Sequence, residues 1–168
     1  GGRTNVIDKM PHNFLYVGLI FAAFPNAKVI HVGRVAAATC WSSYKEHFAT
    51  KGLGYSYDLH DIAEYFGLYK DLMQFWQGHY VDRIYNLNYD NLTTGQEHET
   101  RKLINFLQLD WEDDCLSPQS NNRSVYTASS LQVRKKVYQG SSQQWRQYEP
   151  FLNGAFDHLT EQTETAVD

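Results

Sequence analysis

Residues 27–34 read AKVIHVGR, and how this stretch folds decides the architecture. Val29 to Val32 form a brief β-branched run, entered through the turn signal Pro25-Asn26 and left through Gly33-Arg34. A short apolar strand bounded in this way belongs to the interior of a parallel sheet. Helical spacing follows at once, from Val35 to Phe48. On the N-terminal side, Asn13 to Phe24 is too densely apolar for a clean amphipathic face. It is expected to be a helix buried on most sides, with Pro11 in its first turn. Ahead of it, Asn5-Val6-Ile7-Asp8 is short, partly β-branched and reads as a strand. Strand, helix, strand and helix within about fifty residues are the mark of βαβ units, which predicts an α/β fold with a parallel sheet and flanking helices.

Downstream, Asp58 to Trp76 carries Leu59, Ile62, Ala63, Phe66, Tyr69 and Met73 at spacings of three and four, a long helix with Asp58 or Asp61 as its N-cap. Arg83 to Tyr89, RIYNLNY, returns to alternation and is the third strand candidate. The segments Gln96 to Leu107 and Leu131 to Phe151 bracket a polar loop from Ser117 to Ser124. The expected domain covers 3–155, with 156–168 a polar, acidic and flexible tail.

The 168 residues, 42% hydrophobic and 20% charged, suit one globular core. The apolar run Phe14 to Phe24 has about half the ~20 residues that span a bilayer, so no membrane partner is expected. No signal-peptide pattern opens the chain, and Cys40 and Cys115 have neither CxxC spacing nor the density of a disulfide scaffold. A reducing, cytoplasmic setting is the expectation. A net charge of −4 argues against a nucleic-acid partner. Any anion must therefore be held by a local cluster, Arg34 on its own or Arg123, Arg134, Lys135, Lys136 and Arg146 toward the C-terminus.

In open α/β sheets ligands bind at the carboxyl ends of strands, where helix N-termini attract anions. Three features fall at such ends: Lys9, Arg34 and Tyr89-Asp90. Arg34 offers planar bidentate donors, and Ser42 lies two turns up the next helix, so both are placed to reach one phosphate. The plainer alternative is a surface arginine and an ordinary helical serine. Lys9 can oppose an oxyanion that develops during group transfer, or simply pair with Asp8. His12 is a candidate general base. His31, His47, His60 and His79 lack HxxxH or HxH spacing, so no metal is expected. Tyr55, Tyr57, Phe66, Tyr69, Phe75 and Trp76 either line an apolar acceptor pocket or, as helical spacing favours, form core. A small kinase is disfavoured because GxxxxGK[ST] is lacking.

The run Asp8-Lys9-Met10-Pro11-His12-Asn13-Phe14-Leu15, then Phe24-Pro25-Asn26-Ala27, Ile30-His31-Val32, Arg34 and Thr39-Cys40-Trp41-Ser42, resembles the bacterial sulfotransferases often fused to tetratricopeptide repeats. The similarity continues through Tyr55-Ser56-Tyr57-Asp58-Leu59, Leu103-Ile104, Leu109-Asp110-Trp111, Thr127-Ala128-Ser129 and Trp145-Arg146-Gln147-Tyr148-Glu149-Pro150. The resemblance implies a P-loop-NTPase-like sulfotransferase fold and 3′-phosphoadenosine 5′-phosphosulfate (PAPS) as donor to a hydroxyl or amine acceptor, leaving 3′-phosphoadenosine 5′-phosphate (PAP). It assigns Arg34 and Ser42 to the 3′-phosphate and Lys9 to the sulfonate. It likens Ser129, with Gln132-Val133, to the segment that closes over the nucleotide in the related tyrosylprotein sulfotransferases. Tyr89, Arg134 and Lys135 complete the expected nucleotide site.

The family's glycine-rich phosphosulfate loop lies upstream of Asp-Lys-Met-Pro, and only seven residues precede Asp8 here. The fold is therefore expected to be incomplete at its N-terminus, with a homodimer or a missing N-terminal segment covering the open edge. The chain is accordingly expected to be a sulfotransferase, inactive in this short form, or alternatively a degenerate binding or assembly module.

Overall fold

The computed structural model describes residues 5–48, 52–121 and 136–159. Pro11 opens a 3-10 helix, Pro11–Tyr16, which continues as α1, Val17–Ala23. The decisive stretch is strand β1, Val29–Gly33, followed by α2, Ala36–Tyr44. A short 3-10 turn, Gly54–Tyr57, leads into α3, Leu59–His79, and the chain returns as β2, Ile84–Asn88. Two further helices follow, α4, Tyr89–Thr94, and α5, Gln96–Leu107. A 3-10 helix follows at Ser141–Phe151. Among the described residues no helix is long and apolar enough to cross a membrane.

β1 and β2 pair in parallel, with Val29 opposite Ile84 and Gly33 opposite Asn88. The result is a mixed α/β unit, a small parallel sheet with flanking helices, as the alternation of strand and helix signals predicts. The expected strand at Asn5-Val6-Ile7-Asp8 is not formed. Val6 and Ile7 are 89% and 91% exposed, and the described sheet has only β1 and β2. β-branching favours a strand only where a neighbour takes its backbone hydrogen bonds. Lys9 accordingly follows an exposed segment without regular secondary structure rather than a strand end.

The helix at Val17 is also less enclosed than its composition suggests. Val17 and Phe21, one turn apart, are buried, whereas Leu15, Leu19 and Phe24 remain exposed. Two apolar clusters form the core. One joins Ala37, Ala38 and Cys40 of α2 to Ile62 and Ala63 of α3 and to Trp145, Leu152, Ala155, Phe156 and Leu159. The other joins Val17 and Phe21 to Met73 and Ile84. The long α3 contributes to both, so it is the spine of the molecule. The expected domain end at Ala155 falls inside packed structure, because Phe156 and Leu159 are buried. Residues 160–168 of the expected tail lie outside the described residues.

Candidate functional site at the carboxyl end of the sheet

The parallel register explains what happens beyond the strands. Because Gly33 faces Asn88, the next residues, Arg34 and Tyr89, emerge side by side. The Arg34 guanidinium carbon lies 5.2 Å from the centre of the Tyr89 ring, a cation–π contact that restrains the side chain. Its Nε donates to the Ser142 hydroxyl at 2.8 Å. Its two terminal nitrogens make no hydrogen bond or ion pair with any described residue. A half-buried guanidinium whose bidentate edge the described residues leave unused is matched to an anion with two oxygens.

Helix α2 begins two residues later, and its N-cap residue Val35 supplies no side-chain cap. The first-turn N–H groups thus add positive potential beside Arg34. Ser42 lies farther along α2, exposed, and its hydroxyl bonds to no described residue. Ser142, which the sequence reading did not single out, is 2% exposed. It sits three residues before Trp145 on the C-terminal 3-10 helix, a spacing that puts both side chains on one face. That helix packs on α2. The buried indole nitrogens of Trp41 and Trp145 have no hydrogen-bond partner among the described residues.

The Asp-Lys-Met-Pro segment is organised differently from the simplest expectation. Asp8 does not pair with Lys9; its carboxylate accepts from the Asn13 amide at 2.6 Å. Lys9 is exposed and makes no ion pair with a described residue, which leaves its ammonium available. His12 is half-buried, and its Nε2 lies 3.2 Å from the Tyr55 hydroxyl. Tyr55 stacks on Tyr65 with ring centres 3.8 Å apart. Burial, and secondarily the neighbouring Tyr65, pushes the Tyr55 phenol up to about 12. It stays protonated at ordinary pH and ties His12 to the α2–α3 core.

The aromatic residues divide. Tyr55, Phe66, Tyr69 and Trp76 pack against the two clusters, whereas Tyr57 and Phe75 are about half exposed. His31 is internal to the sheet. Its Nδ1 is 2.8 Å from the Asn86 side-chain amide oxygen and 3.3 Å from the Gln77 amide nitrogen, and Nε2 bonds the Tyr69 hydroxyl. Its polar atoms are satisfied, which is the arrangement of a structural histidine. Among the described residues no group of three or more His, Cys, Asp or Glu could hold a metal.

Of the expected nucleotide residues, Arg34 and Tyr89 come together and Ser42 shares the helix that starts beside them. Ser129, Arg134 and Lys135 lie outside the described residues. A cavity of about 340 Å³ lies at the opposite end of the strands, lined by Lys28, Asp82 and Arg83 among others. Its cations are already engaged, Arg83 with the Phe24 carbonyl at 3.1 Å and Lys28 with the Phe106 carbonyl at 2.5 Å.

The fold is that of a mixed α/β protein with a small parallel sheet and flanking helices, and Arg34 and Tyr89 lie together beyond the carboxyl ends of its strands. Residues 1–113 match the family described as Sulfotransferase family, and the chain belongs to it. The chain is also 40% identical over 161 residues to an uncharacterized protein of Aquifex aeolicus (strain VF5), an alignment covering 95% of this chain and 21% of that protein. The chain thus spans about a fifth of that relative's length.

Proposed function

We propose that this chain is the part of a PAPS-dependent sulfotransferase that holds the donor's 3′-phosphate and presents a cation to the sulfonate under transfer. The observation that carries the reading is Arg34, restrained by Ser142 and Tyr89 with its terminal nitrogens unused by the described residues. The N-terminus of α2 and the Ser42 hydroxyl supply further donors on the same helix. PAPS, when bound, supplies an activated sulfonate for a hydroxyl or amine acceptor. Lys9 would stabilise charge developing on the group that departs, by analogy with phosphoryl transfer. His12 would take the acceptor's proton, its ring held by Tyr55. Ser129, Arg134 and Lys135 are assigned to the same nucleotide site by resemblance.

The test is calorimetric titration of PAP into the wild type and Arg34→Ala. Loss of charge-assisted hydrogen bonds predicts binding about 10- to 100-fold weaker in the variant. Equal affinity would overturn the assignment. Incubation with PAPS and a panel of phenols, alcohols and peptides then separates the two roles: turnover supports catalysis, and PAP binding without turnover favours a binding module.

A further inference from the structure

We propose that Ser142 is the positioning residue of the anion site: by accepting a hydrogen bond from Arg34 Nε, it holds the guanidinium so that only the terminal edge is offered to ligand. This inference rests on the donor-site reading above and concerns how that site is selective for a second phosphate.

A guanidinium carries donors on three nitrogens and sits on a long, flexible stem, so an unrestrained arginine can meet an anion in several ways. Here one of those ways is closed. Nε is engaged at 2.8 Å by a hydroxyl on a residue that is 2% exposed, so water does not compete freely for that bond. The Tyr89 ring restrains the same group from β2's end of the sheet. What remains is the pair of terminal nitrogens, the edge that matches two oxygens of one phosphate.

The local structure of Ser142 is built for this placement. Gly140 adopts φ +83°, a left-handed conformation that turns the chain into the 3-10 helix. Ser142 and Trp145 then share one face, and Trp145 is buried in the α2–α3 cluster. Docking of this helix on α2 therefore sets the Ser142 hydroxyl against Arg34. Residues more than 100 positions apart in sequence, Arg34 and Ser142, meet only when the C-terminal segment is in place. The anion site is thereby coupled to the closing of the fold.

The experiment compares two ligands on the same chain, PAP and adenosine 5′-monophosphate, which differ by the 3′-phosphate. For Ser142→Ala we expect PAP to bind about tenfold more weakly, a change of about 1.4 kcal/mol, with adenosine 5′-monophosphate affected by less than about twofold. Ser142→Thr, which keeps the hydroxyl, should restore the preference for PAP. In an Arg34→Ala background, Ser142→Ala should have no further effect, because the group it positions is gone. Should the alanine variant lose its cooperative melting transition, Ser142→Cys reads the same ligand ratio while retaining a buried side chain of similar size. Equal weakening of both ligands, or an unchanged PAP affinity in the Ala and Cys variants, would overturn the positioning role. A wild type that does not prefer PAP, or a preference that survives Arg34→Ala, would instead overturn the donor-site reading.

Discussion

Cys40 and Gly18 show how single positions answer to their surroundings. Cys40 is 1% exposed, and burial pushes its thiol up to about 12. The thiolate is the reactive form, so a disulfide reagent should label the half-buried Cys115 in the native state and reach Cys40 only on unfolding. Rapid native labelling at both cysteines would contradict this burial. At Gly18 a Cβ would lie 2.9 Å from Trp76 Cη2. The indole cannot simply swing aside, because its Nε1 donates to the Phe14 carbonyl at 2.8 Å. Gly18→Ala should therefore cost about 1–3 kcal/mol in denaturant unfolding. Gly18 reads as an unremarkable helical glycine in sequence, since the residue it must admit is fifty-eight positions away.

The elements are held by local chemistry that sequence exposes well. Asp58 caps α3, accepting from the backbone N–H groups of His60 and Asp61 at 2.8 and 3.0 Å. These bonds, Asp61's first, hold its carboxyl below the usual value. A depressed carboxyl contributes stability that is fully present above the unfolded pKa, about 3.9, and is lost as pH falls through the folded value. Asp58→Ala should lower the melting midpoint at pH 7, and this difference from wild type should shrink as pH drops below about 4; a pH-independent difference would show that the charge plays no part. The Asp58/Asp61 alternative left open by spacing is thus decided by the backbone geometry of the first turn. The 3-10 helix at Ser141–Phe151 was less legible. Its apolar spacing looks helical, but Pro150 and the left-handed Gly140 shape its course, and its packing partner α2 lies a hundred residues upstream.

Across the molecule, α3 joins two core clusters that share no other helix among the described residues. Ile62 and Ala63 belong to one and Met73 to the other. Met73→Ala should cost about 2–5 kcal/mol and Trp145→Ala about 3–5 kcal/mol. Each is expected to shift a single unfolding transition followed by both circular dichroism and tryptophan fluorescence. Two separated transitions would mean that α3 does not transmit stability from one cluster to the other. Trp145→Ala should also weaken PAP binding, because it releases the helix that carries Ser142.

The amino-acid order by itself determined the α/β alternation, the two strands that pair, the start of α3 to within one turn and the placing of Arg34 and Tyr89 at strand ends. These depend on periodicity and turn chemistry within a few residues. It misjudged Asn5-Val6-Ile7-Asp8, whose β-branching had no adjacent strand to satisfy, and the exposure of α1, whose outer apolar residues the described packing leaves uncovered. Only the tertiary structure decided that Asp8 turns to Asn13 and not to Lys9, and that Tyr55 holds His12. It alone brought Ser142 to Arg34, because a buried hydrogen bond between distant segments leaves no periodic trace in the chain and exists only after the core has closed around it.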